Sequence, residues 1–213
     1  MDGKPAKQCI SREGSNHARL LPRYIEELLR YAAEQNLSIE AVALSEGPGS
    51  YTGLRIGAST AKGLCYGLNI PLIPIPTLQV LCQAAKEQMS NDKCQMSNAQ
   101  LCPMIDARRM EVYTLAEDGT ARAVVVEKEQ SLFAGNEEIY YFGDGAAKCV
   151  PIFTKGNWHY IPDIVPEAQY MGVLAEKTTN DKRLTTNDQL AYYEPYYLKE
   201  FVAAQSHIKG LKS

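Results

Sequence analysis

Between Asn16 and Gln35 the apolar positions Leu20, Leu21, Tyr24, Ile25, Leu28, Leu29 and Ala32 recur at spacings of one, three and four. That rhythm predicts an amphipathic helix with one broad apolar face. Pro22 falls early in it, where a missing N–H costs little. The apolar run Ile39–Leu44 then predicts a buried strand, followed by a glycine-rich turn and a second helical pattern from Leu54 to about Leu68. Leu72–Ile75 reads as a strand, and Thr77 as the N-cap of a third helix reaching about Met89. Upstream, residues 1–14 are polar, with a short strand expected at Ala6–Ser11.

The pattern breaks at residues 90–100, which are polar and non-periodic and read as a linker. Beyond it the period shortens. Strands are predicted at Leu101–Ile105, Met110–Ala116, Ala121–Glu127 and Ile139–Phe142, with Asp118-Gly119 as a hairpin turn. A short helix is expected at Ala146–Phe153, a longer one at Pro166–Lys177, and a Tyr-rich tail at Tyr192–Phe201 before about ten frayed residues. The chain thus divides into residues 1–100, strand–turn–helix in character, and residues 101–213, a second α/β unit with a C-terminal tail.

Composition narrows the function classes. The 213 residues carry 22 Lys and Arg against 25 Asp and Glu, a formal charge of −3. That balance is poor for a chain gripping nucleic acid unaided, because such binding rests on neutralised phosphates. The cysteines Cys9, Cys65, Cys82, Cys94, Cys102 and Cys149 form no Cys-x-x-Cys pair, and His17, His159 and His207 do not cluster with them. Scattered thiols fit a reducing cytosol, and no metal site is expected. No apolar run approaches a membrane span, so a cytoplasmic protein without membrane contact is expected.

The turn Ser45-Glu46-Gly47-Pro48-Gly49-Ser50-Tyr51-Thr52-Gly53-Leu54-Arg55-Ile56-Gly57 admits two readings. One is a phosphate cradle. Yet the Walker pattern lacks its lysine, since the first is Lys62, and the dinucleotide fingerprint fails at Thr52. The other is helix packing. Gly53, Gly57 and Ala61 recur every four residues, and Gly63 and Gly67 repeat the spacing on another side. Interior glycines cost helix stability, about 1 kcal/mol each against alanine, and close approach of a neighbouring backbone is the expected compensation, the first helix being the obvious neighbour. The bland alternative is that both helices simply pack on their own sheet.

In the second half, Asp106, Arg108 and Arg109 are candidates for holding an anion or a partner carboxylate, against the plain reading of a charged turn between strands. Gly143-Asp144-Gly145 is a second strand–glycine–helix unit with the same ambiguity. His17 reads as a capping or packing residue. Ser50 fails the Gly-x-Ser-x-Gly test on both sides. No self-sufficient catalytic constellation is found, so no catalytic residue is assigned.

The run from Gly47 to Gly57 resembles the hallmark of the TsaB (YeaZ) family, with Gly47, Pro48, Gly49, Thr52, Gly53 and Arg55 as its core. The supporting matches are His17-Ala18-Arg19-Leu20-Leu21-Pro22, Lys62-Gly63, Pro76-Thr77-Leu78, Asp106-Ala107-Arg108-Arg109-Met110-Glu111-Val112-Tyr113 and Glu194-Pro195-Tyr196-Tyr197-Leu198. They span roughly residues 15–201. The resemblance implies an actin-like ATPase/sugar-kinase (ribonuclease H-like) fold of two α/β lobes. One departure stands out. Family members open with a strand bearing an Ile-Asp-Thr-Ser-like sequence and a hairpin partner, whereas Met1-Asp2-Gly3-Lys4 reads as the hairpin turn itself. The first lobe is therefore expected to be N-terminally truncated, with unpaired edges.

The same resemblance implies a non-catalytic scaffold for forming threonylcarbamoyladenosine beside the tRNA anticodon. The paralogue TsaD would transfer the threonylcarbamoyl group, and the ATPase TsaE would join them. ATP and a metal ion are expected in those partners and no cofactor in this chain, with tRNA reached only through the complex. Leu21, Tyr24, Ile25 and Leu28, with the Gly53–Gly57–Ala61 stripe, are expected at or just beneath a face used for TsaD or a homodimer. The alternative is an ATP-using or peptidase-like enzyme of the same superfamily.

Overall fold

The structure is a computed structural model and describes residues 4–12, 17–91, 99–126, 138–180 and 184–199. The first helix, α1, runs over His17–Glu34. It ends at Asn36 in the left-handed region, with Leu37 N–H returning 2.8 Å to the Ala32 carbonyl. Pro22 lies in the second turn, so its missing N–H forfeits a ladder bond, a larger cost than the small one expected of a first-turn position. Strand β1 (Val42–Gly47) starts later than the apolar run suggests and carries on into the glycine turn.

Helix α2 (Tyr51–Leu68) is capped at both ends. Ser50 Oγ accepts from the Gly53 N–H, and Asn69 sits at φ 55° beyond the last turn. Strand β2 (Leu72–Pro76) pairs parallel with β1, so β1, α2 and β2 form one crossover unit. Helix α3 (Thr77–Asn91) follows without a loop. Most of the expected linker, 92–98, lies outside the described residues.

Among the described residues, the second half holds two three-stranded sheets. Strands β3 (Gln100–Pro103), β7 (Ile139–Phe142) and β8 (Trp158–Ile161) are parallel, in the order β3-β7-β8. Strands β4 (Ile105–Asp106), β5 (Glu111–Leu115) and β6 (Ala121–Val125) form an antiparallel meander. The single strand predicted at Leu101–Ile105 is two, broken at Met104: its amide still bonds the Phe142 carbonyl at 2.7 Å, whereas Ile105 pairs with Tyr113 in the other sheet. The helix predicted at Ala146–Phe153 is a single 3₁₀ turn, Ala147–Cys149. Helix α4 (Met171–Asn180) begins after a 3₁₀ turn at Ala168–Tyr170.

Packing interlocks the halves. Ala61 and Cys65 of α2 meet Leu72 and Leu190 on one face of the β1-β2 pair. Met171 of α4 and Val80 of α3 meet Ile73 and Ile75 on the other. The same α3 sends Leu78, Leu81, Ala84 and Ala85 against Ile105, Phe142 and Ile164 of the second half. Cys102, Met104, Val112, Ile139, Tyr141, Phe153 and Trp158 fill the remaining core. Residues 6–11 form no strand. They lie along α1, held by the Lys7–Glu27 ion pair at 2.7 Å and by the Tyr24 hydroxyl donating to the Ile10 carbonyl.

Candidate functional site

The glycine turn at the end of β1, the β4–β5 hairpin, the Gly143 loop and residues 196–199 face one another across a cleft of about 440 Å³. On its first wall, Gly47 adopts φ 121° and the Gly47–Pro48 peptide is cis. Gly47 N–H donates 3.1 Å to Thr77 Oγ1, whose hydroxyl also bonds Ser45 Oγ at 2.7 Å. Thr77 is buried, so the residue read as a helix cap is instead the peg that fixes the turn. A Cβ on Gly47 would stand 2.4 Å from the Tyr196 carbonyl oxygen. Only glycine leaves room there, and the group it admits is this chain's own backbone.

The second wall is built on the hairpin. Arg108 and Arg109 occupy the left-handed region at φ 68° and 50°. The Asp106 carboxylate accepts from the Arg108 N–H at 3.1 Å and pairs with the Lys148 ammonium. Lys148 also donates to the carbonyls of Arg109 at 3.0 Å and Glu111 at 2.6 Å. Asp144 Oδ1 accepts from the Asp106 N–H at 2.9 Å. Gly143, at φ 103°, leaves its missing Cβ 2.3 Å from the Met104 carbonyl oxygen. Asp106 and Arg108 therefore line the cleft with Asp144 and Lys199, while Arg109 is exposed and outside its lining.

Arg55 lies one turn into α2, with its guanidinium 4.2 Å from the Tyr51 ring centre. Its pKa is raised, first by a hydrogen bond with Tyr197 and further by the field of Tyr51, Tyr197 and Glu194. Lys62 Nζ donates to the carbonyls of Ala191 at 2.9 Å and Tyr193 at 3.2 Å. A phosphate cradle does not fit this loop. The nearest lysine in sequence is committed to the C-terminal segment, and the Gly47 face is filled by Tyr196. Among the described residues, no group of three or more His, Cys, Asp or Glu side chains is placed to hold a metal ion.

A second concavity, about 290 Å³, lies between α1 and α2 and is lined by Ser11, Leu20, Leu21, Tyr24, Gly53, Ile56 and Gly57. Leu21, Tyr24, Ile25 and Leu28 are all half-buried, whereas Ala61 is in the core. The expected close approach of the α1 backbone to the glycines is absent. A Cβ at Gly57 would meet only Leu44 Cδ1 at 3.3 Å, one at Gly53 only its own Ser50 cap, and Gly63 and Gly67 face open space. The reason is that α2 seats on the sheet through Ala58, Ala61 and Cys65, and α1 meets it through long side chains.

Sequence reasoning missed Thr77 as a peg, Lys148 as the hairpin's anchor, and the seating of the C-terminal segment on the glycine turn. The paired tyrosines after Pro195 were the only trace of the last.

A family model described as TsaD, tRNA N6-adenosine threonylcarbamoyltransferase, matches residues 11–142. The TsaB protein of Haemophilus influenzae, a tRNA threonylcarbamoyladenosine biosynthesis protein, is 30% identical over 200 residues, covering 86% of this chain and 80% of that one. A tRNA N6-adenosine threonylcarbamoyltransferase of Geotalea daltonii is 44% identical over 59 residues, 28% of this chain and 17% of that one. The solved structure of YeaZ from Pseudomonas aeruginosa superposes with a TM-score of 0.68 at 23% identity, over 87% of each chain, which shows a shared fold.

Proposed function

The chain belongs to the TsaB (YeaZ) family of tRNA threonylcarbamoyladenosine biosynthesis proteins, and from that premise we propose that it is a non-catalytic accessory subunit docking on TsaD. The observation that carries this reading is the α1–α2 face. An 18-residue amphipathic helix leaves Leu21, Tyr24, Ile25 and Leu28 half-buried, and Leu21 and Tyr24 line a groove with Gly53 and Gly57 of α2. Such an apolar stripe next to bare backbone suits a partner helix. In this reading TsaD performs the transfer and TsaE joins the assembly. ATP and a metal ion reside in those subunits, and tRNA is reached through the complex. The same face serves a homodimer when TsaD is absent. The setting is cytoplasmic, and no helix among the described residues is long and apolar enough to cross a membrane.

The test is co-purification with TsaD of the same organism. Leu28→Glu and Gly57→Glu, each placing a charge on the proposed α1–α2 face, are expected to weaken the complex at least ~100-fold, since an unpaired charge at a closed interface costs several kcal/mol. Circular dichroism checks that each variant is folded. Folded variants that still bind TsaD and support tRNA modification would overturn the interface. Modification by this chain alone would overturn the accessory role.

A further inference from the structure

Two motifs of the sequence, the glycine turn and Glu194-Pro195-Tyr196-Tyr197-Leu198, have no assigned work, and the fold brings them together. The Tyr196 N–H donates 2.8 Å to the Glu46 carbonyl, and the Tyr196 carbonyl lies against Gly47 in the space a Cβ would need. The Tyr197 ring packs on Tyr51 with centres 5.2 Å apart, and the Arg55 guanidinium lies over the same Tyr51 ring at 4.2 Å. At the far end Lys199 pairs with Glu111 of β5, so the segment starts on α2, crosses the glycine turn and ends on the second half. Tyr196, Tyr197, Leu198 and Lys199 themselves form one wall of the cleft.

The way this segment is held differs from the way the core is held. Leu190 anchors its start at 3% exposure, whereas within 194–199 the residues Glu194, Tyr196 and Lys199 are exposed and Pro195, Tyr197 and Leu198 only half-buried. Among the described residues its attachment includes a backbone hydrogen bond from Tyr196, ring contacts, and polar contacts open to water, each modest in strength. Segments with few buried apolar contacts open locally, without global unfolding. We propose that residues 194–199 are a releasable strap. Seated on the glycine turn they close the cleft and tie the halves together, and released they open it while both halves remain folded. The hallmark glycine is, in this chain, the receptor for that strap. Because α2 carries Tyr51 and Arg55 toward the strap and Gly53 and Gly57 toward the α1 groove, strap position and partner docking act on one helix. The strap itself does not depend on the identity of the partner.

The test is native-state amide hydrogen exchange on the full chain, comparing the Tyr196 amide with ladder amides such as those of Ile73 and Val112. Tyr196 is expected to exchange at least ~100-fold faster than those core amides. Lys199→Glu and Glu111→Lys, separately, should speed Tyr196 exchange about two- to five-fold, the range of an exposed ion pair, leaving core exchange unchanged. The double charge swap should restore the original rate. Gly47→Ala should speed it most, and where that variant fails to fold the charge pair still decides. Exchange of Tyr196 in step with the core, or a swap that does not rescue, would overturn the strap.

Discussion

Lys148 shows how one side chain holds a strained loop. Arg108 and Arg109 sit at φ 68° and 50°, a region that costs an ordinary L-residue about 1–2 kcal/mol. What over-determines them is the Lys148 ammonium, bound to the Asp106 carboxylate and to the carbonyls of Arg109 and Glu111. Its side chain retains 21% exposure, so water replaces part of what is lost when the charge is removed. Lys148→Met keeps the stem and deletes the donors. It should destabilise the chain by about 2 kcal/mol in urea unfolding, within the range for hydrogen bonds to charged groups. A loss under about 0.5 kcal/mol would mean that water holds the hairpin equally well. Sequence reading found Asp106, Arg108 and Arg109 because a charged turn between alternating strands is a local pattern. It did not find Lys148, since nothing local marks a lysine on a distant 3₁₀ turn as their partner.

At the scale of elements, what sequence made legible was what depends on neighbours in the chain. The helices α1 and α2 lie close to where their periodicity puts them, because an apolar face and its caps are written within a few turns. Strand β8, Trp158–Ile161, was missed. It is a parallel strand whose partner among the described residues, β7, lies across a long connection, and its Trp-His-Tyr-Ile sequence has no alternation to betray it. The glycines of α2 were visible but their role was not. Packing among the described residues does not need Gly63 or Gly67, since a Cβ at either meets nothing of them within 4 Å. Gly63→Ala and Gly67→Ala should therefore each stabilise the isolated chain by about 0.5–1 kcal/mol through helix propensity alone. Gly143→Ala should instead cost more than about 2 kcal/mol, because its Cβ would stand 2.3 Å from the Met104 carbonyl oxygen at φ 103°. Thermal unfolding of the three variants separates the cases. A destabilising Gly63→Ala would show that α2 has a neighbour on that side.

For the molecule as a whole, the core that joins the halves carries a pH limit. Burial raises the thiols of Cys82 and Cys102 to about 12 and that of Cys149 to about 11, from an ordinary value of 9.0. Cys102 and Cys149 lie in the second-half core, and Cys82 packs where α3 spans both halves. The sign follows from proton binding. Above pH 9 the unfolded chain releases protons that the folded chain retains, so the stability these thiols contribute is fully present below that pH. It is lost as pH rises toward 11 and 12. Each thiol then removes about 1.4 kcal/mol per pH unit, and three together about 4 kcal/mol per unit, against a total of roughly 5–15 kcal/mol for an ordinary domain. Half-buried Tyr193, raised by desolvation first and by Glu46 and Tyr197 second, acts in the same direction at still higher pH. Urea unfolding at pH 8, 9, 10 and 10.5 should show little change to pH 9 and a steep fall beyond it. Cys102→Ala should flatten that fall by about a third. Stability that stays level to pH 10.5 would mean the thiols ionise in place, and that the core between the halves admits water as readily as the cleft above it.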